Sequence, residues 1–204
     1  TREHLVSLEG VTSKEVPETV PSQPSFWTQV WGQFSRYSKV KFRDKTGVIV
    51  LTAQPPLLAL VMWLVFPEPT TALMFMLALS CLWFGMSASV RELITDRVIW
   101  RRERRVGLGV LPYLLSKVAV LGMLVTVQCL VFTGLLFYVL NMVDYGFDFA
   151  LLGLVTTLTG LAGMSLGLLV SASWTSSEAA VGTLPLLLIP QITFSSIMVS
   201  VRSM

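Results

Sequence analysis

The chain is poor in charge and in the residues that usually carry chemistry. Of its 204 residues, 13% are Asp, Glu, Lys or Arg and 53% are hydrophobic, with a single histidine. A soluble domain of this length cannot cover its surface with so few charges, and a disordered chain cannot carry so much apolar residue. The two cysteines, Cys81 and Cys129, sit inside apolar runs, which excludes a disulfide scaffold. His4 is remote from both, so no metal-ligating spacing exists. The phosphate-cradling pattern G-x-x-x-x-G-K-[ST] is absent, and Gly107-x-Gly109 alone does not replace it. No histidine or lysine lies in the interior of the apolar runs to serve as the base of a hydrolytic triad. The net charge of +3 comes from basic residues that flank those runs instead of covering a face, which argues against a nucleic-acid surface.

What is present in abundance is long hydrophobic sequence, and it implies an all-α polytopic membrane protein. Residues 1–25, with Pro17, Pro21 and Pro24 among Glu, Ser and Thr, have the composition of a linker and lack the apolar core of a secretory signal. Residues 26–45 repeat apolar positions at helical spacing (Phe26, Trp27, Val30, Trp31, Phe34, Tyr37), as in an amphipathic helix lying in the membrane interface, packed on a neighbouring soluble domain, or both. A membrane domain over 46–204 follows, with five spans near 48–66, 71–90, 114–143, 149–170 and 179–200. Pro55-Pro56 should kink the first span, and Thr175-x-x-Glu178 reads as a capping box for the fifth. Arg36, Lys39, Lys41, Arg43, Lys45, Arg91, the arginines of 97–105 and Lys117 then fall on one side of the membrane. Glu68, Asp144, Asp148 and Arg202 fall on the other. The basic side is expected to be cytoplasmic, with the N-terminus there.

Ionisable groups inside spans mark ion or proton paths, and their scarcity here disfavours a proton-coupled carrier. Gln54, Gln128 and Gln191 could line a polar route, but side chains of this kind more often hydrogen-bond neighbouring helices. Gly160, Gly163 and Gly167 form a small-residue stripe on the fourth span, suited to close helix packing or, less economically, to a dimer face.

The segment 91–117, RELITDRVIWRRERRVGLGVLPYLLSK, is the most charged. Helical periodicity continues through Leu93, Ile94, Val98 and Ile99, then meets Arg101, Arg102, Arg104 and Arg105 with Glu103 among them, and ends in Gly107, Gly109 and Pro112. Such arginines can serve only topology and anionic lipid, but the ordered mixture with Trp100, Glu103 and glycine points to a protein-contacting hairpin.

Asp96, Arg102-Glu103, Gly107 and the return Tyr113-Leu114-Leu115-Ser116-Lys117 resemble the loop between the second and third spans of ABC transporter G-family (type-2 exporter) permeases. FWTQVWGQFSRYSKVKFRD resembles that family's connecting helix, Gln54-Pro55-Pro56 its bacterial members, and Leu184-Pro185 with Ile192-Thr193-Phe194-Ser195-Ser196 its fifth span. Ser196 stands where the family usually has glycine, and the sixth span with its preceding outer loop has no counterpart here. The resemblance implies a bacterial-type half-transporter in the inner membrane. Residues 1–25 would then leave an upstream nucleotide-binding domain, which would hold the ATP and magnesium; this chain would hold no cofactor and no catalytic or metal site. The implied partners are that ATPase domain, a second half in a homodimer, and membrane lipids, with no nucleic acid. Within the loop 91–113, Asp96, Arg97, Trp100, Arg101, Arg102, Glu103 and Gly107 would couple the spans to the ATPase. Phe84 would line the substrate route, and Ile197 and Met198 would close it on the outer side. Export of a lipid, glycolipid or drug-like molecule by alternating access is the implied activity. The alternatives are a polytopic scaffold and a mechanotransmitting complex that moves no substrate.

Overall fold

The computed structural model describes residues 25–105 and 107–193, and every regular element among them is helical. Helix α1 (Phe26–Arg43) ends at Asp44, whose side chain accepts a hydrogen bond from the Gly47 amide at 3.1 Å and so caps the next helix, α2 (Lys45–Val65). After the Pro67–Pro69 turn, Thr70 Oγ1 caps α3 (Thr71–Ser89) through the Leu73 amide. Helix α4 (Glu92–Arg104) carries the arginine cluster, and α5 (Val110–Val139) returns across the bundle. A short 3-10 turn, Met142–Tyr145, lies between two left-handed residues, Asn141 and Gly146. Asp148 then caps α6 (Phe149–Ser173) through the Ala150 and Leu151 amides, and α7 (Ser177–Thr193) follows.

Among the described residues, four helical stretches are long and apolar enough to cross a membrane: α2, the joined stretch Thr71–Arg104, α5 and α6. Within the described residues α7 has 17 residues, and the remainder of the expected fifth span lies outside them. The cap of α7 falls one position later than the expected Thr175. The Ser176 hydroxyl accepts from the Ala179 amide at 3.3 Å and donates to Glu178 at 2.7 Å. That bond holds the exposed Glu178 carboxyl below its usual range.

Lipid tails are as apolar as leucine, so close backbone approach holds these helices together more than exclusion from water does. The tightest seam joins α3 and α6. A side chain at Gly163 would run into the Leu82 carbonyl, one at Gly167 into the Met86 carbonyl, and one at Gly85 into the backbone of Gly160 and Met164. Ser89 Oγ reinforces the seam by donating to the Met164 carbonyl at 2.9 Å. The glycine stripe therefore packs helices within this chain. Beside it, Leu77, Cys81, Phe84, Val125, Cys129 and Phe132 form the core between α3 and α5. The Thr133 and Thr156 hydroxyls meet at 2.9 Å between α5 and α6.

Helix α2 runs through Pro55 and Pro56 without interruption. Pro55 has no amide hydrogen to give the Leu51 carbonyl one turn earlier. Gln128 Nε2, on α5, supplies that missing bond at 2.7 Å.

Candidate functional site

The expected coupling residues fall on α4 and on the turn that follows it. Helix α4 is set off from α3 by Val90 and Arg91, and its first amides would be orphans. Ser171 Oγ, from the end of α6, accepts from the Leu93 and Ile94 amides at 3.0 and 3.3 Å, capping α4 from a neighbouring helix. Two residues after Ile94, Asp96 turns inward. Its carboxylate lies 2.6 Å from Lys117 Nζ, in the second turn of α5. Lys117 is 1% exposed, and its ammonium also reaches the Glu92 carbonyl at 3.3 Å and sits 4.1 Å above the Tyr37 ring. Glu92 in turn accepts from the Tyr37 hydroxyl and pairs with Lys41, both on α1. Burial above all, and then Glu92 beside it, push the Tyr37 phenol far above its ordinary range, so it stays a neutral donor at physiological pH.

Two turns farther along α4 the pattern repeats. Glu103 takes the Arg36 guanidinium, with one nitrogen at 3.0 Å, and the Gln33 amide at 3.1 Å. Trp100 lies against Tyr113, ring centres 6.2 Å apart, and the Arg104 guanidinium carbon lies 5.2 Å from the centre of the Trp100 ring. Arg97 reaches the carbonyls of Ala172 and Trp174 at 3.4 and 2.8 Å, at the negative end of the α6 dipole. Gly107 holds a φ of +98°, a left-handed turn that glycine adopts without strain. Gln29 Oε1 then accepts from the Gly109 amide at 3.2 Å, fixing the return to α5.

The seven expected coupling residues thus divide by face. Asp96, Arg97, Trp100 and Glu103 bind α4 to α1, α5 and α6, and Gly107 shapes the turn. Arg101, Arg102 and Arg105 are exposed, and none of the three has an ion pair or hydrogen bond among the described residues, although Arg102 also borders a small cleft toward Arg36 and Tyr113. Val98, 78% exposed, falls on the same face. Sequence reasoning missed Lys41, Glu92, Arg36 and Tyr37 as members of the network; the signal was a run of polar residues on α1 three and four apart, facing Glu92 and Glu103.

Phe84 is fully buried, edge-on to Phe132 with ring centres 5.3 Å apart. In this chain it packs the core between α3 and α5. Ile197 and Met198 lie outside the described residues, and no three metal-binding side chains cluster among the described ones.

The profile of the ABC-2 type transporter family matches residues 27–204. The chain belongs to that family. A relative, the ABC transporter ATP-binding/permease protein Rv1747 of Mycobacterium tuberculosis (strain ATCC 25618 / H37Rv), is 34% identical over 67 residues, which are 33% of this chain and 8% of that relative. No solved structure matches the chain significantly. As an ABC-2 chain, this is the permease part of a transporter, a multi-pass helical membrane protein.

Proposed function

We propose that this permease is driven by an ATP-binding domain that presses on the outer face of α4, and that the membrane side bearing α4 is cytoplasmic. The observation that carries this reading is the division of α4 into a committed and an uncommitted face. Its carboxylates are spent on Lys117, Lys41 and Arg36, while Arg101, Arg102 and Arg105 are exposed and unpaired within one turn or two of exposed Val98. An acidic surface with an apolar notch complements that face, and charge-assisted pairs to arginine make such a contact directional. Because α4 is tied to α1, α5 and α6 at once, a push on it is shared by the whole end of the bundle.

The cargo is a hydrophobic or amphipathic molecule, such as a lipid, glycolipid or drug-like compound, exported by alternating access in a dimer of two such halves. The charge-poor spans support this class, since a strongly charged solute would find no counter-charge along them. The upstream nucleotide-binding domain that holds ATP and magnesium, and the bacterial inner membrane as the location, belong to the same reading. The test uses the full-length transporter in lipid nanodiscs. Arg101→Glu with Arg102→Glu should lower ATPase activity and transport by about tenfold or more while insertion is preserved, the loss of roughly 1.4 kcal/mol or more of contact. Unchanged activity in that variant refutes the docking face.

A further inference from the structure

A cleft of about 630 Å³ opens beside the charged network, between α1 and α2 on one side and α3, α4 and α7 on the other. Its walls change character along their length. Toward the middle of the bundle they are apolar, formed by Val50, Leu51, Trp83, Val181 and Leu184. At the α4 end they are charged, with Lys41, Asp44, Arg91, Glu92 and Asp96.

Most of those charges are already answered. Lys41 is paired with Glu92, and Asp96 with Lys117. Two lack a direct partner: the Arg91 guanidinium makes no ion pair or hydrogen bond among the described residues and meets the exposed Glu178 carboxylate only through space, and the Asp44 carboxylate has only the Gly47 amide. One uncommitted cation and one uncommitted anion on the same rim match a head that carries both signs. An anionic lipid would leave Asp44 facing added negative charge, and a cationic amphiphile would leave Arg91 facing added positive charge. A third observation concerns the deep end, where Gln54 lines the cleft. Its Oε1 is shut off from solvent and has no hydrogen-bond donor among the described residues. A buried acceptor left alone is costly, and an occupant that brings water in beside its ester groups removes that cost.

We infer that this cleft binds one zwitterionic phospholipid from the leaflet beside α4, with its phosphate at Arg91, its ammonium at Asp44 and an acyl chain against Trp83 and Leu184. The site goes beyond the transport reading and does not depend on it, because occupancy can be measured with the transporter at rest.

The experiment compares phosphatidylethanolamine with phosphatidylglycerol, titrated in mixed micelles onto the purified full-length protein and counted by native mass spectrometry. The wild type should favour phosphatidylethanolamine. Arg91→Gln should bind it about tenfold more weakly, the loss of one charge-assisted contact. Asp44→Asn keeps an N-cap side chain and should shift the preference toward phosphatidylglycerol, a gain that misfolding cannot produce. Equal binding of the two lipids by the wild type overturns the site, as does a preference unaltered in both variants. A cysteine at Val50 that cross-links to a second copy of the chain instead of being shielded by lipid overturns it too.

Discussion

Lys117 is the residue on which three helices converge, and its setting decides what its loss would do. The ammonium is almost wholly removed from solvent and is matched by Asp96, with Glu92 3.7 Å away. Removing one partner of a buried pair leaves the other charge unanswered, which costs more than the pair itself contributes. Lys117→Met should therefore lower stability by on the order of 3 kcal/mol. Adding Asp96→Leu should recover much of that loss, because the stranded carboxylate goes with it. Thermal unfolding of the single and double variants in detergent checks the expectation; a double variant as unstable as the sum of its parts would contradict it. The sequence showed Lys117 as the end of a Tyr-x-x-x-Lys return and Asp96 as the start of the same loop, but nothing in their spacing says that they touch. Their meeting depends on the turn at Gly107 and on Ser171 capping α4 from another helix, both of which are tertiary facts.

At the level of elements, hydropathy located the helices well and their joints less well. The ends of α2, α3 and α6 lie within a few residues of the runs read from the sequence, because the bilayer demands a continuous apolar length whatever the packing. The third span was displaced: α5 starts at Val110, not near Leu114, since Gly109 and Pro112 open the helix before the apolar run becomes continuous. The glycine stripe was legible as a packing face, yet the choice of α3 as its partner was not, since small residues admit any close neighbour. That seam is sensitive to bulk. Gly163→Leu would drive a side chain into the Leu82 carbonyl and force the two helices apart, at a cost of about 1–3 kcal/mol. The same change at Gly182, which has nothing within 4 Å, should be nearly neutral. Unfolding midpoints of the two variants should differ in that order, and equal midpoints would mean that the seam can part freely.

Across the whole molecule, α4 is a strut held on three sides: by Arg36 and Gln33 of α1 at Glu103, by Lys117 of α5 at Asp96, and by α6 through Ser171 and Arg97. Ser171→Ala combined with Arg97→Gln removes only the third hold. The amides of Leu93 and Ile94 would lose their acceptor, each bond contributing about 1 kcal/mol. Hydrogen exchange at those two positions should quicken by roughly tenfold, while exchange at the α3–α6 seam stays as it was. If the seam loosens as well, α4 and the bundle do not separate into distinct units. The same layout bears on α2. The Leu51 carbonyl below Pro55 is held by Gln128 of α5 rather than by its own helix, so the hinge pin belongs to the neighbour. Swinging the lower arm of α2 outward must either pull that pin or roll α5 about its long axis, and since α5 also carries Lys117, a roll would turn the strut with it. Any bend of α2 at the proline pair would thus be geared to α5 through a single glutamine side chain.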